Sequence, residues 1–232
     1  MALVTPETKL CNVILDEPTV IPVINRFGIV LGVGDKTVAA ICREKGIDLQ
    51  FFLTILNAYI FENYFPEKEF RSFGAQEIIG YLQKTNNSYL HSLLPNIERH
   101  FNALIGHSNA NNNLPLLLNL FKEVKSELLA RIEDDNNRWF AEILSHEQSN
   151  GGDAITIDSR DLELRNDSIE DKLSDLKNMF VIHLRGDYDR NLCLAVLLVV
   201  ISLEKDIRQN NRIRNRILRP VAEALKKASA NR

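Results

Sequence analysis

The sequence has few cysteines, and none of them forms a recognisable motif. Cys11, Cys42 and Cys193 are widely spaced and odd in number, which argues against a disulfide framework and against a cysteine-based zinc site. The N-terminus also lacks the basic segment, apolar core and small-residue cleavage site that are typical of a signal peptide. These absences predict a soluble, cytoplasmic protein with reduced thiols.

The chain has no surplus of basic residues either. Its 28 Lys and Arg residues stand against 31 Asp and Glu residues, and the formal net charge is -3. Because nucleic acids and anionic membranes are bound mainly through excess Lys and Arg, we expect neither as a partner. Short helical pieces around a glycine turn leave a helix-turn-helix open as an alternative, but its second helix, KTVAAICREKG, offers few groups that could contact bases.

Long apolar runs are missing as well. LCLAVLLVVISL, at Leu192–Leu203, is 12 residues long, whereas a membrane-spanning helix needs about 20. Charged residues flank the run on both sides. The run therefore predicts a buried helix and not a membrane span.

Apolar residues at helical spacing are abundant, and no convincing strand alternation is present. We predict an all-α fold with a small helical N-terminal domain at 1–62, a linker at 63–75 and a larger domain at 76–232. In the small domain, Asp35, Thr37 or both are candidate helix caps, and a further helix should begin near Asp48. The larger domain contains four amphipathic helices, which predict an antiparallel four-helix bundle.

Each predicted bundle helix carries polar residues on its inward face. In chain order they are Asn86 on the first helix, Arg131 and Asp135 on the second, Asn166 on the third, and Asn210 and Arg214 on the fourth. An unpaired amide costs about 1 to 3 kcal/mol in a core, and an unpaired charge costs more. We therefore expect these side chains to share one site, with Asp135 as the counter-charge of the guanidinium groups. The alternative is a helical phase shifted by one position, with several of these side chains reaching solvent.

The residue types at these positions are poor metal ligands. Metal-binding bundles use inward Glu and His. An asparagine offers a metal only a weak, neutral oxygen ligand, and an arginine is a permanent cation. We therefore expect no cofactor and no metal, with His107 and Asp135 as weak candidate ligands. No Ser or Cys lies in a recognisable activating context, so no catalytic residue is predicted.

Several short motifs follow one another along the chain in a recognisable order. They are RFGIVLGVGDKTV at 26–38, TNNSYLHSLLP at 85–95, RIEDDNNRWFA at 131–141, NDS at 166–168 and ILRP at 217–220. With this order the chain resembles, along nearly its whole length, the repair-of-iron-centres family. That family combines a small N-terminal helical domain with a hemerythrin-like bundle, and it is associated with mending iron-sulfur clusters after nitric oxide or oxidative damage. The resemblance implies a hemerythrin-like antiparallel four-helix bundle.

The chain departs from the family at the positions that carry its chemistry. Gly32 and Val33 stand where the resemblance implies a cysteine pair. The family's histidines correspond to Asn86, Asn87, Arg131, Asn166 and Asn210, its glutamates correspond to Asp135 and Arg214, and a further family histidine falls near His107. A hemerythrin-type di-iron centre needs about six or seven ligands, mostly His and carboxylates, and the chain offers at most two.

Two functional hypotheses follow. The first is a metal-free, degenerate hemerythrin-like protein that acts as an interaction or regulatory module in a stress response, is not expected to be an enzyme, and forms a homodimer. The second is a di-iron protein for the repair of damaged iron-sulfur clusters. The residues favour the first, and the resemblance favours the second.

Overall fold

The chain is helical. The computed structural model describes the backbone of residues 2–109, 112–149 and 168–230, and no strand occurs in these ranges. The all-α prediction is therefore confirmed. Contacts divide the chain into two compact units, Met1–Tyr81 and Leu82–Arg232. We describe each unit by itself, and the domain boundaries given by the sequence stay predictions.

The first unit is built from short helices. They are α1 (Leu10–Asp16), α2 (Ile21–Arg26), α3 (Val38–Lys45), α4 (Leu49–Ile60), α5 (Glu67–Ser72) and the first part of α6 (Ala75–Ser88). Helix α5 lies within the segment that the sequence assigns to a linker, and it buries Phe70.

Local sequence signals explain where α3 and α4 begin. The Thr37 side chain accepts a hydrogen bond from the Ala40 amide at 3.2 Å, and the Asp48 side chain accepts one from the Phe51 amide at 2.7 Å. Both are N-caps, which satisfy amides that the first helical turn leaves without partners. Of the two predicted cap residues, Thr37 caps α3 and Asp35 does not, and the predicted helix start near Asp48 is confirmed.

A buried asparagine fixes the start of the chain onto α4. Asn57 accepts a hydrogen bond from the Val4 amide at 2.7 Å and donates one to the Val4 carbonyl oxygen at 2.9 Å. Its amide thus takes the place of a backbone partner for Val4.

The second unit consists of longer helical segments. They are the rest of α6, α7 (Leu94–Gly106), α8 (Leu114–Asp134), α9 (Phe140–Ser149), α10 (Ser168–Ile182), α11 (Arg190–Ile213) and α12 (Arg219–Ala230). Within the described residues, three π-helical turns join consecutive helices without a break, and they span Tyr89–Leu93, Asp135–Trp139 and Arg214–Leu218.

Four of these helices surround one apolar core. Helix α7 packs against α8 and α11, and α10 packs against the same two helices. The core side chains include Phe101, Phe121, Leu128, Leu173 and Val200, all of which are fully buried. Further along the chain, α9 packs against α12.

One end of this core is closed by two connections that bond to each other. Asn113, just before α8, donates to the His183 carbonyl oxygen and accepts from the Arg185 amide, both at 2.9 Å. Ser108 accepts from the Asp189 amide at 3.2 Å. The connection that follows α7 is thereby tied to the one that follows α10.

The run Leu192–Leu203, predicted as a buried helix, is buried on one side only. Leu194 is 55% exposed and Leu198 is 54% exposed, whereas Val196 and Val200 are buried. A helix that packs on one side of a core buries one stripe of its surface, and this run carries apolar residues outside that stripe. None of the helices in the described ranges is long and apolar enough to cross a membrane.

Candidate functional site

In the described part of the second unit, three π-helical turns begin at residues with polar side chains that are buried or partly buried. Their first residues are Tyr89, Asp135 and Arg214, and in each turn the carbonyl of that residue accepts from the amide five residues later. Such wide turns inside α-helices are rare, and they often occur at functional sites. These three residues and the polar residues near them, which we call the polar cluster, form the candidate site.

An ion pair between the π-helical turns that follow α8 and α11 dominates the cluster. The Arg214 guanidinium lies 2.7 and 2.9 Å from the two Asp135 carboxylate oxygens through Nη1 and 2.6 Å from Oδ1 through Nη2. The side chains are 15% and 4% exposed, respectively. The Arg214 guanidinium carbon also lies 4.3 Å from the centre of the Trp139 ring, a cation–π geometry.

Burial governs the titration of Asp135. It raises the pKa of this carboxyl from 3.8 to about 6, because desolvation of the ionised form outweighs the opposing charges of Arg214 and Arg131. Asp134 raises the pKa further, and Arg219 lowers it. The Asp135 carboxylate thus lies near three guanidinium groups, those of Arg214, Arg131 and Arg219.

Asn210 bonds to Tyr89 across the core. Its amide nitrogen donates to the Tyr89 hydroxyl at 3.2 Å and to the Asp206 carbonyl oxygen at 2.7 Å. Its Oδ1 is buried and has no hydrogen-bond partner. The bond to a backbone carbonyl fixes the orientation of the amide, because the reversed amide would place two oxygens against each other.

Arg131 belongs to a neighbouring branch of the cluster. Its Nη1 donates to Asn211 Oδ1 at 3.0 Å, and Asn211 Nδ2 donates to Glu170 Oε1 at 2.6 Å. Asn211 is buried, although the sequence analysis selected only its neighbour Asn210.

The remaining predicted positions are less tightly connected. Asn86 is buried, and its Nδ2 donates to Asn136 Oδ1 over a long 3.4 Å. Asn166 lies outside the described residues. The structure therefore brings Asp135 and Arg214 into direct contact, whereas Asn86, Arg131 and Asn210 each bond to residues that the sequence analysis did not select.

The two weak candidate ligands, His107 and Asp135, do not form a pair. His107 is exposed at the end of α7, where its Nδ1 lies 2.8 Å from the Ala103 carbonyl oxygen. Asp135 follows the far end of α8, whose 21 residues span about 30 Å at 1.5 Å per residue. The two side chains therefore lie at opposite ends of the core.

A further buried ion pair was not predicted from the sequence. Glu204 of α11 is buried and accepts from Lys177 Nζ at 2.8 and 2.7 Å, and from Arg208 at 3.1 Å. Glu204 follows Leu203 and lies seven residues before Asn211, which places both on the side of α11 that faces α10. This seven-residue spacing was the sequence signal that could have predicted the burial of Glu204.

The residues of the cluster do not fit the di-iron centre that the resemblance implies. Both Asp135 oxygens already accept from Arg214, and a divalent ion beside this guanidinium would meet like charge at short distance. Among the described residues, no three His, Cys, Asp or Glu side chains come close enough together to hold a metal ion. The cluster is chemically suited to salt-bridge and amide bonding instead.

Comparison of the chain with protein-family models, with curated proteins and with solved structures found no match. The resemblance given by the motifs therefore stays a prediction.

Proposed function

We propose that this protein is a metal-free, hemerythrin-like four-helix bundle that serves as an interaction or regulatory module in a stress response. The contact between the Arg214 guanidinium and the Asp135 carboxylate carries the proposal. In the alignment of motifs that the resemblance implies, these two positions belong to glutamate ligands. An arginine at one of them replaces a ligand by a cation and neutralises the carboxylate that remains.

Electrostatics supports this reading of the cluster. Asp135 lies under the influence of Arg214, Arg131 and Arg219, whereas one further carboxylate, Asp134, acts against them. At the usual effective dielectric constants of proteins, like charges a few ångströms apart repel by several kcal/mol. Iron binding would have to displace the guanidinium of Arg214 first.

The inaccessibility of the ion pair supports a structural use rather than chemistry on a substrate. Asp135 is 4% exposed, and Trp139 lies against the guanidinium of its partner. A candidate general acid or base must reach the proton that it transfers. The protein would then act through its surface, and the stress-response context rests on the resemblance.

Iron content tests the proposal. We expect the protein purified from an iron-supplemented culture to contain far less than one iron per chain by elemental analysis. Near-stoichiometric iron would overturn the metal-free reading in favour of the di-iron repair protein.

A variant with restored ligands provides the matched control. It carries Asn86→His, Arg131→His, Asp135→Glu, Asn166→His, Asn210→His and Arg214→Glu. If the hemerythrin-like frame is correct, this variant gains iron where the wild type does not. A variant that folds, as judged by circular dichroism, yet takes up no more iron than the wild type would contradict the frame.

A further inference from the structure

The second unit exposes a concentrated apolar face. Five of the six large apolar side chains that are exposed among its described residues come from α10 and α11, and they are Val181, Ile182, Leu194, Leu198 and Ile201. Leu194, Leu198 and Ile201 follow a spacing of four and three residues, so they lie on one side of α11. We call these five residues the α10/α11 face.

The register of the two helices makes this face continuous. Glu170 bonds to Asn211, and Lys177 bonds to Glu204, so seven steps along α10 match seven steps backwards along α11. The helices are therefore antiparallel, and each step of one residue along α10 corresponds to one residue backwards along α11. Extended by four and five residues, the same register places Val181 and Ile182 beside the turn that contains Leu198 and Ile201.

The size of the face suits a protein interface. Its side chains are between 39% and 67% exposed, which together equals nearly three fully exposed residues. Contiguous apolar surface on a soluble protein commonly marks an interaction site. With a polar rim, an apolar centre of this size fits a standard interface of about 800 Å² per partner.

The charges at the rim are arranged for a two-fold partner. Arg190 precedes Leu198 by eight residues on the N-terminal side of the face, and both Arg190 and Asp175 of α10 are exposed. In the register set by the two bonds, Asp175 of α10 lies at the same height as Asp206 of α11. Asp206 follows Leu198 by eight residues, just as Arg190 precedes it by eight. A two-fold axis across α11 at Leu198 would therefore bring Asp175 of one copy opposite Arg190 of the other.

We infer that the occupant of the α10/α11 face is a second copy of this chain. The two α11 helices pack antiparallel about Leu198, and the apolar side chains of one copy contact those of the other. The two rim pairs, Asp175 with Arg190, are equivalent by symmetry, as an isologous interface requires. The inference deepens the proposed function, on which it rests, by naming the partner of the interaction module.

Substitution at the centre of the face tests the inference. We expect the full-length protein to sediment as a dimer over a micromolar concentration series, and Leu198→Glu to sediment as a monomer. Leu116→Glu is the matched control, because Leu116 is 57% exposed on α8 outside the face. A monomeric wild type, or a Leu198→Glu variant that dimerises as well as the control, would overturn the inference. Circular dichroism of both variants reports whether they are folded.

Charge reversal tests the antiparallel register. Asp175→Lys and Arg190→Glu should each raise the dimer Kd by at least about tenfold, because each homodimer then contains two like-charge pairs. An equimolar mixture of the two variants should recover the wild-type Kd, because both pairs in the mixed dimer are attractive. Failure of the mixture to recover would overturn the antiparallel arrangement.

The two proposals fail separately. An iron-free monomer would overturn the dimer and leave the metal-free reading in place. An iron-containing dimer whose formation requires Leu198 would overturn the proposed function and leave the interface in place.

Discussion

Arg214 shows how a single residue defines the interior of the second unit. Its guanidinium contacts both oxygens of Asp135 and lies on the Trp139 ring. A buried pair of this kind adds little net stability over apolar residues of similar size, but loss of one partner leaves an uncompensated charge. The pair therefore contributes little to the total stability, but Arg214 determines that a carboxylate can be buried at position 135.

Removal of the guanidinium should strand the carboxylate. We expect Arg214→Leu to lower the free energy of unfolding by about 3 to 5 kcal/mol at neutral pH. The double variant Arg214→Leu/Asp135→Leu should lose less than the single variant, because no charge remains buried. Urea denaturation measures both. A single variant as stable as the wild type would mean that the pair contributes nothing.

The pKa of Asp135 predicts a pH dependence with a definite sign. Because it is raised from 3.8 to about 6, the native state binds more protons than the unfolded state between these values. The contribution of Asp135 to the free energy of unfolding therefore decreases as the pH rises from about 4 to 6, by about 2 kcal/mol.

Asp135→Asn is the control for this dependence, since the amide does not titrate and other carboxyl groups remain. The difference in unfolding free energy between the wild type and Asp135→Asn, measured across this interval, should follow the predicted decrease. A difference that stays constant with pH would contradict the raised pKa.

Much of this residue-scale description is predictable from helical spacing. Spacing along two helices selects Asp135 and Arg214 as inward residues of opposite charge, and the structure places them in contact. Spacing does not predict that Asn211 is buried beside Asn210, because adjacent residues of a helix point about 100° apart and both are buried only where helices pack on two sides.

At the scale of the elements, the π-helical turns are the feature that the sequence indicates least. Pro95 and Pro220 each lie two residues beyond such a turn. A proline cannot donate to the residue four positions earlier, and its ring clashes with that carbonyl. A wider turn before the proline relieves the clash, so the helix continues. The turn at Asp135–Trp139 has no proline within it or in the five residues that follow, and we have no sequence-based reason for it.

The connections at the end of the core give a prediction at this scale. Asn113→Ala removes both side-chain bonds to the segment after α10, so we expect a loss of about 1 to 2 kcal/mol in the free energy of unfolding. Asn119→Ala, an exposed position on α8, should change it by less than about 0.5 kcal/mol. Denaturant titration of both variants provides the measurement, and equal losses would argue against the role of Asn113.

At the scale of the whole molecule, apolar residues exceed what one core can bury. The run Leu192–Leu203 supplies the core with Val196, Val200 and Leu203 and leaves Leu194 and Leu198 exposed. Read alone, the run predicts a helix enclosed by its own chain. The proposed dimer would enclose it with a second copy, which satisfies the same apolar pattern by association.

The sequence by itself determined that the chain is helical, where α3 and α4 begin, and that polar groups lie within the packed helices of the second unit. These properties follow from caps and from a periodicity that extends over a few turns. Only the tertiary structure decided which polar groups meet, that His107 and Asp135 lie at opposite ends of the core, and which side of α11 stays exposed. Those outcomes depend on the register and neighbours of whole helices, to which residues far apart in the chain contribute together.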